Sequence, residues 1–303
     1  MNQEELACIF DKIGISYKTI KILEKGWSQN MKCVLSADNS VMCASFFSKN
    51  MMDRKKEIFE IQKVLHKNGV KVAKPEEIYT YEDYGILVAE YLDGVDGEEA
   101  VVKLGDEDCY DLGFQAGQEL RKIHSIDAPE NLDDWSLRKS TKSDKYLELY
   151  KKAKYKLENE EEIIEFIKSN YYVMMNRPNM LQHDDFHLGN LIYKGNILQG
   201  VIDFDLCDYG DPYHDLIKCG NISATLSENF CKGQIDGYFY PNKPDDNFWL
   251  IYSVYGAMSV ISTIVWLERF HPQRFEEGMK GIYKMLSDHD NFKEIIPRWY
   301  NNK

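Results

Sequence analysis

Three oxygen-bearing side chains in one short stretch of this sequence have the types and the order that chemistry on phosphate requires. Asp185 and Asn190 follow His183 in a polar segment, and Asp203 ends the second strand of a predicted hairpin over residues 191–204. One carboxylate can orient an attacking hydroxyl and take its proton. Two hard oxygen ligands can hold the magnesium ions that bridge a nucleotide's phosphates. The segment therefore offers all the groups that phosphoryl transfer needs.

The same segment has two alternative interpretations. It could be a polar turn between strands, with its carboxylates in water. His183, Asp184, Asp185 and His187 could also ligate a divalent metal, as in a phosphohydrolase. That second interpretation needs further ligands, and the other five histidines form no second recognisable motif: His66, His124, His214, His271 and His289.

The spacing H-x-D-x-x-x-x-N resembles the catalytic loop of the protein-kinase-like fold, and most closely that of the aminoglycoside phosphotransferase and choline kinase branch. Three more segments resemble that family in the same order along the chain. Residues 89–94 are similar to its hinge, residues 120–124 to its L-x-x-L-H helix end, and residues 210–216 to its G-D-P-x-x-D-L segment. Each segment alone is weak, but together they cover most of the chain.

The resemblance implies a role for each matching residue. Asp185 is expected to be the catalytic base, and Asn190 and Asp203 the magnesium ligands. His183 and Asp215 are expected to support the loop without taking part in the chemistry. Backbone groups of the hinge are expected to contact the adenine, at Ala89, Glu90 and Tyr91. Asp184 stands where the family usually has glycine, which should crowd the loop slightly.

The residues expected to bind the phosphates of the nucleotide depart from the family pattern. Kinases of this fold carry a cation on the third strand, which binds the α- and β-phosphates. Here Ser45 occupies that position. Lys32 on the preceding strand is the favoured replacement, as in the with-no-lysine kinases, and Lys49 is the alternative. A weakened nucleotide site is a third possibility, since the inward direction of the Lys32 side chain cannot be read from sequence.

Two further nucleotide-side predictions concern the neighbouring helix and loop. Glu57 fits best as the helix partner of the cation, with Glu60 second, although either could be an exposed helix charge. Ser28 lies in the turn-rich segment 24–30, which stands where a glycine-rich loop would cover the phosphates.

The acceptor is expected to be a small hydroxylated molecule, and a cationic one. Antibiotic kinases of the family line their acceptor cleft with carboxylates. Asp205 and Asp208 follow the metal aspartate, and Glu268 lies on a late helix, so these three are the candidate acceptor contacts. A further acidic group between residues 93 and 108 reads equally as a solvated surface.

The pattern of elements predicts an α+β chain with a bilobal, protein-kinase-like fold. Residues 1–92 read as strand, strand, strand, helix, strand, strand, which predicts a small antiparallel-sheet N-lobe that binds nucleotide. Residues 93–303 are predicted to form a larger, mostly helical C-lobe with the catalytic loop. Within it, residues 144–170 read as one long charged helix.

The composition of the chain indicates its cellular compartment and the kinds of partner it can bind. A formal net charge of -13 over 303 residues argues against nucleic acid as a partner. The seven scattered cysteines contain no C-x-x-C pair, which favours free thiols in a reducing compartment. Residues 248–267 have the length of a membrane span, but their four serine and threonine residues and the lack of a flanking basic cluster favour a buried helix. We expect a cytoplasmic monomer or homodimer with no membrane partner.

Together these features predict a nucleotide-dependent phosphotransferase with an alcohol group as acceptor. The first hypothesis is a magnesium-dependent kinase that uses ATP or GTP to phosphorylate an aminoglycoside or a similar amine, and thus an antibiotic-resistance enzyme. A metabolite kinase for choline, a sugar or an amino alcohol would use the same machinery. A non-catalytic relative that only binds nucleotide is the remaining alternative, and the missing third-strand cation is its support.

Overall fold

The computed structural model describes residues 1–23 and 31–301, and it divides the chain into two compact units. One unit comprises Met1–Gly94 together with Gln199–Asp205. The other comprises Val95–Leu198 together with the chain from Leu206 onward. The boundary thus falls two residues beyond the predicted residue 92. The segment that carries Asp203 groups with the first unit, where the Val201 N–H donates to the carbonyl of Lys71 at 2.8 Å.

The first unit is built on a five-stranded antiparallel sheet with the strand order β1-β2-β3-β5-β4. Its helices and strands are α1 (Gln3–Ile13), β1 (Thr19–Leu23), β2 (Lys32–Ser36), β3 (Val41–Ser48), α2 (Met52–Lys67), β4 (Pro75–Tyr81) and β5 (Tyr84–Glu90). The five strands and α2 correspond to the predicted elements. Alternate residues of the inner strands, such as Ala44 and Phe46 of β3, point into the core of this unit.

Helix α1 lies outside the predicted elements. Its N-terminus is closed by a capping box, in which the Asn2 side chain accepts from the Glu5 N–H and the Glu5 carboxylate accepts from the Asn2 N–H. Leu6 and Phe10 of this helix are fully buried against the sheet, together with Phe46. The helix therefore covers one face of the sheet and leaves the other face for different contacts.

The second unit is mainly helical. Its helices are α3 (Gly97–Val101), α4 (Asp106–Ile123), α5 (Trp135–Tyr150), α6 (Glu160–Ser169), α7 (Ile217–Asn221), α8 (Glu228–Phe239), α9 (Asp246–Phe270), α10 (Phe275–Asp288) and α11 (Arg298–Asn301). Its short strands are β6 (Val95–Asp96), β7 (Met180–Gln182), β8 (Leu191–Lys194), β9 (Ile197–Val201), which continues into the first unit, and β10 (Asp208–Gly210). Strands β7 and β10 pair antiparallel, with Gln182 opposite Asp208.

The predicted helix over residues 144–170 is wrong, because the chain turns between α5 and α6. The Glu268 carboxylate accepts the N–H groups of Lys154 at 3.1 Å and Tyr155 at 2.6 Å. The Tyr150 hydroxyl accepts the Leu157 N–H at 2.9 Å. These side chains satisfy backbone donors that a continuous helix would have paired internally, so the turn is stable.

Glycines bring α4 and α8 into unusually close contact. A Cβ added at Gly117 would lie 2.1 Å from the carbonyl oxygen of Gln234, and one added at Gly237 would lie 2.1 Å from that of Phe114. Backbone therefore packs directly on backbone. At the end of this helix pair, the Tyr238 hydroxyl lies 2.9 Å from Nδ1 of His124, which fixes the orientation of that imidazole.

Helix α9 is the long apolar segment of the sequence. By length and composition it could cross a membrane, and it is the one such helix in the described part of the chain. In this structure, however, 72% of its most apolar window is buried. It packs against α5 and α10, and its fully buried side chains include Trp249, Tyr252 and Tyr255.

Candidate active site

The predicted catalytic loop, residues 183–190, connects β7 to β8 and is held by Asp215. The two oxygens of this buried carboxylate accept the N–H groups of His183 and Asp184, each at 2.7 Å. The same carboxylate lies 3.0 Å from Nε2 of His124. Asp184 adopts a left-handed backbone conformation with φ of 58°, which explains why glycine suits this position and why aspartate is tolerated there.

The segment that carries Asp215 is anchored in turn by Asp211. The Asp211 carboxylate is fully buried and accepts two hydrogen bonds from the Arg177 guanidinium, at 2.7 and 2.8 Å. It also accepts the hydroxyl proton of Tyr255 at 2.7 Å. A bidentate arginine pair with a third donor is a rigid arrangement, so α9 fixes the backbone on which Asp215 stands.

Asp185 sits at the centre of the loop with donors on both carboxylate oxygens. Oδ1 accepts from the Lys218 ammonium at 2.9 Å, and Oδ2 accepts from Nδ2 of Asn190 at 3.2 Å. Nε2 of His187 lies 3.5 Å from Oδ2. Burial would raise the pKa of Asp185, but the contacts with His187 and Lys218 outweigh it and hold that pKa well below its usual range. Asp185 is therefore ionised at neutral pH.

Asn190 is buried, and its amide orientation is set by the loop. Nδ2 donates to the backbone carbonyl of Asp185 at 2.9 Å as well as to its carboxylate. Since a carbonyl can only accept, the amide nitrogen must face Asp185, and Oδ1 is the atom that remains to bind a metal. Asn190 thus fits a magnesium ligand by the atom it presents.

In the first unit, Lys32 and Asp203 lie together. Lys32 of β2 is directly opposite Ser45 of β3, so both side chains project from the same face of the sheet. That face is opposite to the one that Ala44 and Phe46 bury. The Lys32 ammonium lies 3.9 Å from the Asp203 carboxylate. Lys49 instead donates to the carbonyl of Glu82 at 3.1 Å, at the far end of β3.

The buried charge on α2 is a lysine rather than a glutamate. Lys55 is 7% exposed, donates to the Asp205 carboxylate at 2.5 Å and lies over the Phe47 ring. Glu57 is exposed and pairs with Arg54 at 2.7 Å within the helix. The structure therefore does not bring Glu57 to Lys32. Lys55 shares a helix face with the buried Ile58, at i+3, and that spacing is the sequence signal that could have identified it.

The other predicted nucleotide contacts are Ser28 and the three hinge residues, and they differ in their surroundings. Ser28 lies outside the described residues. Ala89 is buried in β5, opposite Cys43. The N–H of Glu90 donates to the carbonyl of Lys74 at 2.8 Å, and that of Tyr91 donates to the carbonyl of Val41 at 3.0 Å. These two N–H groups are engaged within the unit, so a base held by this segment would use other backbone atoms.

The three predicted acceptor carboxylates are not brought together. Asp205 pairs with Lys55, within the first unit. In the second unit, Asp208 is exposed and lies 3.7 Å from the Arg138 guanidinium. Glu268 stabilises the turn after α5 through two backbone N–H groups, so its predicted contact with an acceptor is replaced by a structural role.

The phosphohydrolase interpretation requires a cluster of metal-binding side chains, and the part of the chain that the structure describes contains none. No three histidine, cysteine or acidic side chains there are placed to hold an ion together. Instead, Nδ1 of His183 accepts the Asp185 N–H at 3.3 Å, and Nδ1 of His187 accepts the Gly189 N–H at 3.1 Å. Both imidazoles thus support the loop.

Asp184 should make the stability of the protein depend on pH. Burial would raise its pKa, but contact with His214 and the charges of Lys139 and Lys218 lower it from 3.8 to about 2. A carboxyl with a lower pKa in the folded state stabilises that state above its unfolded pKa and loses this contribution as pH falls toward the folded value.

Replacing Asp184 by asparagine, which tolerates the same backbone conformation, should therefore destabilise the protein most above about pH 5. The difference from the unmodified protein should shrink as pH falls below about 4. Urea unfolding over this range measures it, with the exposed Asp133→Asn as the control. A difference that is constant over the whole range would contradict this assignment.

Comparison with known proteins identifies the family of this chain. The family model described as the phosphotransferase enzyme family matches residues 19–249. The search of curated proteins gave no match.

Solved structures of phosphotransferases share the fold at low sequence identity. The ADP-bound aminoglycoside phosphotransferase APH(2'')-Ib has a TM-score of 0.62, 17% identity and 99% coverage of both chains. A thermostable mutant of APH(4)-Ia in ternary complex with AMP-PNP and hygromycin B gives 0.67 at 11% identity, covering 92% of this chain and 97% of that one. Macrolide 2'-phosphotransferase MphH from Brachybacterium faecium gives 0.65 at 12%, covering 92% and 98%. The predicted kinase-like fold is confirmed, and the chain belongs to the phosphotransferase enzyme family.

Proposed function

We propose that this enzyme transfers the terminal phosphate of ATP or GTP to a hydroxyl group of a small molecule in a magnesium-dependent reaction. The observation that carries this proposal is Asp185, an ionised carboxylate on a braced loop with Lys218 and Asn190 bonded to it. The family to which the chain belongs and the nucleotide-bound structures of proteins with its fold support the same reaction.

In this mechanism Asp185 orients the hydroxyl group of the acceptor. A carboxylate with a strongly lowered pKa is a weak proton acceptor, so positioning is its main contribution. Phosphoryl transfer needs little proton abstraction before the new bond to phosphorus forms, and the proton can pass to Asp185 as that bond develops. Lys218 keeps the carboxylate ionised and fixes its direction through Oδ1.

On the nucleotide side, Asn190 and Asp203 are the residues that would hold magnesium through hard oxygen atoms, and a bound magnesium would supply positive charge against the phosphates. Lys32 supplies the cation that Ser45 cannot, because the register of β2 and β3 places the two side chains on one face. The ion contact of Lys32 with Asp203 keeps its ammonium on the phosphate side of the sheet.

Two acceptor classes fit this reaction. An aminoglycoside or a similar amine is supported by the solved structures that share the fold, one of which contains gentamicin and another hygromycin B. A metabolite such as choline, a sugar or an amino alcohol is the second class. It is favoured by the engagement of Asp205 and Glu268 in contacts of their own, which leaves no acidic cluster from the predicted set.

We further propose a cytoplasmic enzyme that acts as a monomer or homodimer without a nucleic acid or membrane partner. The net charge of -13 disfavours binding to phosphate backbones. The extensive burial of α9 favours a core helix over a membrane span.

The direct test is nucleotide consumption in the presence of magnesium, with ATP and GTP offered separately. Aminoglycosides, choline-like alcohols and sugars serve as the acceptor panel, and the Asp185→Asn protein is the blank. Acceptor-dependent turnover that the variant lacks is the expected result. Tight nucleotide binding without turnover on any acceptor would favour the non-catalytic alternative.

Replacing Lys32 tests the nucleotide side. Lys32→Ala should weaken nucleotide affinity by about tenfold or more, since it removes a charge-assisted contact to phosphate. Lys49→Ala is the matched control, because that ammonium is exposed and bonds only to a backbone carbonyl in the described structure. Calorimetry with each nucleotide measures both variants, and equal, small effects would rule out Lys32 as the replacement cation.

A further inference from the structure

The second unit contains a small cavity beside the catalytic loop whose walls carry more positive than negative charge. Its volume is about 60 Å³, which is room for several water molecules or for one carboxylate or phosphate group. Helix α5 contributes one wall, and the residues around the loop contribute the other. The charged and polar lining consists of Arg138, Lys139, Lys142, Gln182, Asp184, Asp208 and His214.

Each carboxylate at this cavity already has a partner. Asp208, at its edge, lies 3.7 Å from Arg138. Arg138 also donates to the Asn179 side chain at 2.8 Å and to the Tyr209 carbonyl at 2.6 Å, so it is a structural residue. Asp184 lies 3.3 Å from Nδ1 of His214. Neither carboxylate forms an ion pair with the two lysines of the wall.

Lys139 and Lys142 therefore form no ion pair among the described residues, although the charge of Asp184 acts on Lys139. The Lys139 ammonium bonds to Nε2 of His214 at 2.5 Å and lies over the rings of Trp135 and Tyr255, all uncharged partners. Burial and then Lys139 lower the pKa of His214, which keeps that imidazole neutral. Lys142 is exposed and has no hydrogen bond or ion pair within residues 1–23 and 31–301.

A partly buried ammonium without a direct ion pair is electrostatically unfavourable. Burial, followed by the charge of Lys142, lowers the pKa of Lys139 to about 7. An anion in the cavity would pair with both lysines, and it would gain charge-assisted hydrogen bonds there. A cation there would meet like charges instead.

The cavity adjoins the proposed site of chemistry within one compact unit. Asp184, which lines it, is the residue directly before Asp185. Lys218 donates to Asp185, and its charge also acts on Asp184 and Lys139. A group bound in the cavity therefore lies close to the hydroxyl that Asp185 would orient.

We propose that this cavity binds an anionic group of the acceptor, a carboxylate or a phosphate, with Lys139 and Lys142 as its ligands. The acceptor is then a hydroxylated acid or a phosphorylated alcohol rather than a polycationic aminoglycoside. This inference rests on the phosphoryl transfer proposed above and names its acceptor class.

The first experiment measures anion binding without turnover. Inorganic phosphate is titrated calorimetrically into the protein, with and without a saturating non-hydrolysable nucleoside triphosphate that fills the nucleotide site. Lys139→Gln and Lys142→Gln should each weaken phosphate binding by about tenfold or more. Lys145→Gln, an exposed lysine on the same helix and away from the cavity, should leave it unchanged. Equal affinities in all four proteins would overturn the proposal.

The second experiment compares matched acceptors in the transfer reaction. Hydroxy acids are paired with their amides, sugar phosphates with the parent sugars, and aminoglycosides are included. The anionic member of a pair should have the higher kcat/KM, and Lys139→Gln should reduce that preference by about tenfold or more by raising KM.

Failure of this inference and failure of the proposed reaction would give different results. Transfer to amines or neutral alcohols at least as efficiently as to their anionic counterparts would overturn the inference and leave the proposed reaction intact. Absence of transfer to every acceptor, with lysine-dependent phosphate binding retained, would instead reject the proposed reaction.

Discussion

Asp185→Asn should lower kcat by at least about a hundredfold while leaving nucleotide affinity within about twofold of the unmodified protein. The amide has nearly the same shape, but it cannot take the proton of the acceptor hydroxyl, and its NH2 group would face Lys218 or Asn190. The nucleotide contacts assigned to Lys32 are in the other unit and are untouched. Steady-state kinetics and calorimetric nucleotide binding measure the two quantities separately.

The exposed Asp133→Asn is the control for that variant, and its kcat should match that of the unmodified protein. A near-normal kcat for Asp185→Asn would refute the assignment of this residue. Loss of nucleotide affinity in parallel with kcat would instead indicate that the substitution disturbs the loop as a whole.

Asp215→Asn should destabilise the protein by at least about 2 kcal/mol and lower kcat as well. Both oxygens of this buried carboxylate accept backbone N–H groups, from His183 and from Asp184. Whichever way the asparagine amide is turned, its NH2 group meets one of these donors, and a buried donor is left without an acceptor. Denaturant unfolding and kcat at a temperature where the variant is folded are the two measurements.

If Asp215→Asn retains both normal stability and normal kcat, the bracing role is wrong. Asp215→Glu distinguishes charge from geometry, because it keeps the acceptor oxygens but displaces them by one methylene. We expect it to restore part of the stability and little of the turnover, since the loop would be held in a shifted position.

The loop over residues 183–190 could be singled out from the sequence, because the chemistry proposed for it depends on residue type and spacing over a short stretch. Asp185, Asn190 and Asp203 could be named from the sequence, and so could Asp215, through the segment that carries it. The conformation of Asp184 was also foreseeable, since glycine at that position in relatives signals a left-handed backbone.

The directions in which side chains point could not be predicted from the sequence. Whether Lys32 reaches the phosphate side depends on the β2–β3 register, in which a one-residue shift would reverse its face. Lys55, Lys139 and Lys218 were missed for a related reason. Lysines are frequent on solvated faces, and apart from the i+3 spacing of Lys55 with Ile58, only tertiary packing shows which of them lie beside a carboxylate or a cavity.

Two errors in the predicted elements also have physical causes. Helix α1 was missed because its apolar residues, Leu6, Ile9 and Phe10, occupy a narrow stripe in a polar segment. The break between α5 and α6 was missed because Glu268, more than a hundred residues later in the chain, stabilises the turn. A contact so distant in sequence leaves no mark on the local periodicity.

Mass spectrometry of the reaction products, with an acceptor that supports turnover, tests the central claim most directly. Incubation with the magnesium nucleotide should yield a phosphate ester of the acceptor in step with nucleoside diphosphate, and Asp185→Asn should yield neither at a comparable rate. Equal product formation by the variant, or release of the terminal phosphate only as inorganic phosphate, would contradict transfer to a hydroxyl oriented by Asp185.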